Sequence, residues 1–391
     1  MEHSGAAPHL VKGLRHLLAD ITQTGDGVPR GLNDVVLADT RLLGFEDSGV
    51  DYCGVTVEDL CLDGTFEQAA WLLLHQGLPD ADETADLAAV IADSAVLDQP
   101  IADTIASIPL QTRPLDLLPL CTSLLCCFDP TTFDRTLESS RSQFWRLLAR
   151  IPVLLHVAFG GQLQEGRVVV DGDSGNMRSL TFAGRLLQIL RDDNAAPTPT
   201  EEQVMNAVMI CECLTEMRPA CFVARVFGST VTDIVAAVKA ASSMFTAQLR
   251  NDPFEWTAHK LKSFQSPDQA ESWWNRRRPR VMPFGFTSDP EEPRTGLLRE
   301  QCRRLLGSLD ALITEASAAR LESLLAAQGL FPTPDWTAAR ALTLLNVPAD
   351  RIAVAVGIAR MTGWAAQCVE QHQAALPLLP VLRYPGRSQS D

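Results

Sequence analysis

Apolar residues recur along most of this chain three and four positions apart, the period of a helix with one buried face. The first thirty residues carry one weak amphipathic segment, Leu10 to Ile21, then the polar, Gly-rich stretch TQTGDGVPRG. Residues 1–30 therefore read as an extension and linker. Between Val35 and Val57 the short apolar runs VVLA, RLLGF and VDYCGVTV are broken by Glu46-Asp47-Ser48-Gly49. That pattern predicts a small hairpin and is the one convincing β-signal. From Thr65 onward the rhythm is helical. Thr65 and Gln68 have capping-box spacing ahead of Ala69-Ala70-Trp71-Leu72-Leu73-Leu74, and Gly77 with Pro79 supplies a stop. The pattern predicts further helices over Thr84–Leu97, Leu115–Phe128, Ser140–Phe159, Ser179–Arg191, Thr200–Leu214, Ser229–Leu249, Leu297–Ala318 and Ala338–Gln371. A chain this helical is of the mainly α class, with its helices packed in layers. Two stretches interrupt it: Arg250–Pro253, and Arg276–Arg294 with four prolines and a dense basic cluster. A long irregular insertion in a helical domain is either functional or disordered.

Composition narrows the function classes. The 391 residues are 46% hydrophobic and 21% charged, the profile of an ordinary globular protein of one large or two unequal domains. The net charge of −15 argues against a nucleic-acid footprint and against an anionic membrane surface. No apolar run reaches the roughly 20 residues of a membrane span, and MEHSGAAPHL has no signal-peptide core. The expected setting is cytoplasmic, with the ten cysteines reduced.

Spacing alone yields little chemistry. The seven histidines, at 3, 9, 16, 75, 156, 259 and 372, form no pair with metal-ligand spacing. Cys211, Cys213 and Cys221, and the adjacent Cys126-Cys127, lie in apolar helical segments and read as small buried hydrophobes. No phosphate-binding glycine loop and no nucleophile elbow occurs.

A series of phrases adds what spacing does not. GLNDVVLADTRL from Gly31, then VDYCGVTVEDL, TFEQAAWLLLHQGLP, PLDLLPLCTSLLCCFDP and ARMTGWAAQCVEQ follow one another at fixed separations. The series resembles the citrate synthase family, including 2-methylcitrate synthases, from about Gly31 to about Arg383. The resemblance implies an all-α homodimer acting on small molecules. It also implies a large domain over 31–251 and 347–391, with a smaller mobile domain over 252–346 closing over the active site.

The family's three active-site histidines are missing. Its D-H-E-x-N-A-S-T phrase reads LTEMRPAC here, with Thr215 at the His and Glu216 at the Glu. G-P-L-H-G-G-A reads AQLRNDP, with Arg250 at the His and Asn251-Asp252 at the glycines. G-F-G-H-R-V-Y reads PFGFTSD, with Phe286 and Thr287 at the His-Arg pair. Asp335 stands at the family's catalytic Asp, Arg294 and Arg360 at two carboxylate-binding Arg positions, and Leu379 at a third. In the family the Asp takes a proton from an acyl-CoA thioester, the enolate attacks the ketone of an oxo acid, and the thioester is hydrolysed.

With the histidines gone, two roles stay open for the chain. The resemblance implies an enzyme in which Asp335 is the base, Arg250 stabilises an enolate, and Thr215, Glu216, Phe286, Arg294 and Arg360 line the substrate site. Its chemistry would be a C–C condensation, or a related cyclisation or lyase step, with a CoA thioester as substrate rather than a resident cofactor. Loss of one donor to a developing oxyanion costs ~2.7–4 kcal/mol, so ordinary citrate formation is not expected. The alternative is an inactive pseudoenzyme serving as a regulatory or scaffold partner, with Arg250 pairing Asp335, or Asp335 a plain helix N-cap, and Arg294 a surface residue at a helix start. A buried Arg360 needs an anionic partner under either role. Arg276, Arg277, Arg278 and Arg280 are CoA-phosphate ligands on the enzyme reading and a solvated loop otherwise.

Overall fold

Every residue from Ile352 to Gln371 is buried, and the 23-residue helix Ile352–Ala374 that they form runs through the main apolar core. A helix apolar on all sides belongs in a core. By length and hydropathy this one is a candidate membrane span, but its apolar window lies wholly inside the protein. Two glycines let it approach its neighbours backbone to backbone. A Cβ on Gly363 would lie 2.2 Å from the carbonyl oxygen of Cys213, and one on Gly228 2.2 Å from that of Cys368.

The computed structural model describes residues 31–380 except 33–34, 47–48, 130, 132–133, 135, 169–179, 192–194, 231–232 and 278–283. Met1–Arg41 and Leu42–Asp391 are separate units, and every helix and strand among the described residues lies in the second. The extension expected over residues 1–30, with its Leu10–Ile21 segment, lies outside the described residues.

Sixteen helices and only short strands make up the described residues, which is the mainly α class. The expected hairpin is a three-stranded antiparallel meander, Leu43–Glu46, Gly49–Tyr52 and Val55–Thr56. Its Tyr52 is fully buried, and the hydroxyl donates to the carbonyl of Ile210 at 3.0 Å, which ties the meander to the end of the Pro199–Glu212 helix. Two further strand pairs, Leu163–Gln164 with Arg167–Val168 and Phe286–Thr287 with Phe331–Pro332, are too short to leave a two-residue alternation in the sequence.

The capping box at Thr65 and Gln68 forms as its spacing predicts and starts the Phe66–His75 helix. Several predicted helices are divided. The Ser229–Leu249 segment begins only at Ile234, capped by Asp233, and a separate helix, Pro219–Gly228, precedes it. Leu297–Ala318 is two helices, Pro293–Arg303 and Leu309–Ala326. Ala338–Gln371 is likewise Pro334–Leu344 and Ile352–Ala374, parted at Asn346 with φ 59° and the following Val347-Pro348. Apolar periodicity runs through such breaks because the helix on each side buries an apolar face, in one core around Asn346 and in two clusters for Pro293–Arg303 and Leu309–Ala326. The stretch expected to be irregular from Arg276 is shorter than that, since Pro267–Arg277 is helical and a helix resumes at Pro293.

The main apolar core surrounds the Ile352–Ala374 helix. A second cluster gathers Leu261, Phe264, Trp274, Phe286, Leu321 and Trp336. The ten cysteines are free thiols, six of them buried. Burial pushes Cys121 up to about 12.

Candidate active site

The Pro334–Leu344 helix places the central carboxylate. Thr333 is its N-cap and Pro334 its first residue, so Asp335 sits inside the first turn. The N-cap reading of Asp335 is thereby corrected: its side chain points to two guanidinium groups instead. Arg218 Nη1 donates to Oδ2 at 2.8 Å, and Arg360 Nη2 donates to Oδ1. A helix N-terminus also favours a negative charge.

Arg360 projects from the core helix with its guanidinium 5.4 Å from the ring centroid of Phe245. It also bonds Glu212 Oε2, from Nε at 3.2 Å and Nη2 at 2.6 Å. Glu212 closes the Pro199–Glu212 helix and is fully buried, and its Oε1 has no hydrogen-bond partner among the described residues. The result is a row of alternating charges, Arg218, Asp335, Arg360 and Glu212.

Burial alone would raise the Asp335 carboxyl, but the charges and hydrogen bonds of Arg218 and Arg360 outweigh it and hold the group well below the usual carboxylate range. For Glu212 the balance is reversed. Burial pushes it up, Arg360 opposes this and Asp335 reinforces it. Of the row, Arg218 alone reaches solvent, with 42% of its side chain exposed, against 5% for Arg360 and 8% for Asp335.

A cleft of about 430 Å³ is lined by the two arginines of this row, Arg218 and Arg360, with Thr215, Gln248 and Trp364 among others. Two cations, an amide and an aromatic wall suit a small molecule carrying a carboxylate. Another cavity, of about 530 Å³, lies among Asp129, Arg146, Arg150, Asp233 and Lys239 and contains none of the expected site residues.

The structure divides the remaining expected residues. Thr215 lines the cleft, buried, with its hydroxyl donating to the carbonyl of Glu216; the Glu216 side chain is exposed. Arg250 is exposed, and no hydrogen bond or ion pair joins it to Asp335 among the described residues; its carbonyl accepts from Arg113 Nη1 at 3.0 Å. The partner expected at Arg250 is Arg218. Phe286 packs in the second apolar cluster with its ring centroid 4.8 Å from that of Trp336. Asp252, which replaces a glycine of the family phrase, has φ 32° and caps the next helix through Glu255 N, so the backbone there is left-handed without a glycine.

Arg294 is neither a surface residue nor free to take a ligand. It is 2% exposed. Nη1 donates to Tyr52 Oη at 3.0 Å, to the carbonyl of Cys211 at 2.9 Å and to that of Leu214, while Nε and Nη2 hold Glu292. The carboxylate it holds is thus a protein carboxylate, and its work is to brace the meander against the Pro199–Glu212 helix. Arg276 is exposed near the end of the Pro267–Arg277 helix, which Arg277 closes; Arg278 and Arg280 lie outside the described residues. Leu379 is 69% exposed.

Arg218 and Glu212 are the site residues that sequence reasoning missed. A signal existed for the first: Arg218 stands in LTEMRPAC where the family phrase has Asn. Glu212 gave none beyond being an acidic residue in an otherwise apolar run.

The family model described as citrate synthase, C-terminal domain, matches residues 31–380. 2-Methylcitrate synthase 2 of Corynebacterium glutamicum is 26% identical over 388 residues, covering 97% of this chain and 96% of that protein. Citrate synthase 2 of Bacillus subtilis is 25% identical over 91% of this chain and 95% of its own length. In fold, the chain is similar to the citrate synthase of Thermoplasma acidophilum in its ternary complex with carboxymethyl coenzyme A and oxaloacetate. The TM-score is 0.76 at 19% identity, over 93% of this chain and 97% of that one. Matched through nearly the whole of its described length, this helical chain belongs to the citrate synthase family.

Proposed function

We propose that the chain is a condensing enzyme that joins an enolisable acyl-CoA thioester or related carbonyl donor to a carboxylate-bearing acceptor held in the cleft over Arg218 and Arg360. The single observation that carries this reading is the buried Asp335 carboxylate held between Arg218 and Arg360, the two arginines that line the cleft. Asp335 acts as the base, the enolate attacks the acceptor's carbonyl carbon, and thioester hydrolysis releases CoA. Relatives named as citrate and 2-methylcitrate synthases support the C–C bond-forming class, and a protein of this fold holds a CoA derivative together with oxaloacetate.

The acceptor differs from oxaloacetate in this proposal, because Thr215, Arg250 and Phe286 stand at the positions the resemblance assigns to histidines and Arg294 is taken by Glu292. Residues 252–346 form the smaller lobe, the chain works as a homodimer in the cytoplasm, and neither nucleic acid nor membrane is a partner.

The pseudoenzyme reading has one observation in its favour: both carboxylate oxygens of Asp335 are engaged by guanidinium groups. Incubation with acetyl-, propionyl- and longer acyl-CoAs against a panel of 2-oxo acids decides between the two. CoA release that requires both partners and disappears in Asp335→Asn supports the enzyme. No release with any pair leaves the inactive partner.

A further inference from the structure

Asp335 cannot be an effective base while two guanidinium groups hold it. Of the two, Arg360 is fixed: it is buried and committed to Glu212 as well. Arg218 is not. Among the described residues its side chain bonds Asp335 alone, it is 42% exposed, and it lines the cleft. It immediately precedes Pro219 at the start of a helix, so its backbone is anchored while its long side chain can turn.

We infer that Arg218 is a latch that a ligand carboxylate releases: an anion entering the cleft competes with Asp335 for the Arg218 guanidinium, and capture of Arg218 frees Asp335 Oδ2 to accept a proton. The inference rests on the carboxylate-bearing acceptor proposed above and adds to it how the base is produced: the acceptor's own charge draws Arg218 away from Asp335. Specificity follows from the same geometry. A neutral acceptor of similar shape leaves the latch shut and the carboxylate inert. The position also departs from the family phrase, which has Asn where Arg218 stands.

A competitor for the ligand's own partner lowers apparent affinity by the fraction of time the partner is unavailable. Thermal shift and titration calorimetry at fixed ionic strength read this directly, with malonate and oxaloacetate as probes and dimethyl malonate as the uncharged control. Asp335→Asn tightens dicarboxylate binding about tenfold by removing the competitor. Arg218→Gln weakens it by a similar factor, and Arg218→Lys restores part of it. Arg218 is half-exposed and Arg360 keeps Asp335 paired, so its variants fold, and a cooperative melt without ligand checks this.

The double variant separates competition from simple charge removal. If the latch exists, Asp335→Asn gains nothing in the Arg218→Gln background. An equal gain in both backgrounds overturns the latch while leaving the acceptor site intact. Binding that none of the variants alters overturns the latch and removes Arg218 from the acceptor site. No binding of either dicarboxylate to the wild type or to Asp335→Asn overturns the latch, and CoA release with the wider panel of 2-oxo acids then decides the acceptor reading separately.

Discussion

Arg218 and Asp335, 117 residues apart in sequence, meet at 2.8 Å, with the arginine at the solvent side and the carboxylate behind it. The pair fixes the protonation state of the central carboxylate and so governs what the site can do.

Replacing Asp335 by Asn removes an acceptor from two guanidinium groups and costs about 1.5–3 kcal/mol at neutral pH, the usual worth of hydrogen bonds to charged groups. The pH dependence has a definite sign. The folded value lies below the ordinary 3.8, so the stabilisation is present above that value and is lost as pH falls through and below it. Urea melts of both proteins across acid pH therefore converge. A gap that stays constant into strong acid contradicts the ion pair.

Glu212 has the opposite sign. Its carboxyl is raised above the ordinary 4.5 by burial, so the folded protein keeps a proton that the unfolded chain has released. This stability is complete below the ordinary value and declines as pH rises toward the folded one. Glu212→Gln cannot ionise, and its stability relative to the wild type therefore improves with pH across that window. Denaturation midpoints measured upward from pH 4.5 check the slope.

Arg294 separates stability from binding. It is fully buried with every donor nitrogen engaged, and Arg294→Ala leaves Glu292 and three buried oxygen atoms without their partner. The expected loss is about 3–5 kcal/mol of stability, as for other broken buried pairs. Dicarboxylate affinity in the fraction that stays folded is unchanged. A variant that melts normally but loses ligand binding would return Arg294 to the substrate site.

Gly363→Ala tests the helix crossing at the core. The added Cβ meets the Cys213 carbonyl at 2.2 Å, and backbone on both sides cannot yield cheaply. The cost is about 1–3 kcal/mol, read as a lowered melting temperature. Gly296→Ala, which meets nothing within 4 Å, serves as the control and is neutral or slightly stabilising.

Local signals in the sequence located elements better than they located their limits. The Thr65–Gln68 box sets a helix start because the capping atoms are three residues apart and need nothing else. The box at Asp80 and Glu83 obeys the same rule and moves a predicted start from Thr84 to Ala81. The breaks before Ile234 and at Asn346 carry weaker marks, a lone Asp233 cap and an Asn346 followed by Pro348, and the apolar pattern runs through both because the flanking residues face one core. In the site, the resemblance singled out Asp335 and Arg360, and the structure joins them. It also drew attention to Arg294 and Arg250, where a position in a phrase does not disclose a partner. Glu292 and Tyr52 claim Arg294, and Arg218 takes the place expected of Arg250. The Tyr52–Arg294 and Arg218–Asp335 contacts join residues scores of positions apart, which no local pattern encodes, and even Glu292, two residues from Arg294, shows as its partner only once the fold buries the arginine.

The most direct test of the central claim is CoA release from acyl-CoAs mixed with 2-oxo acids, measured for the wild type and Asp335→Asn side by side. A condensing enzyme with Asp335 as its base gives release that needs both substrates and falls by about 10²–10⁴-fold in the variant. Release that survives Asp335→Asn, or no release from any pair, contradicts it.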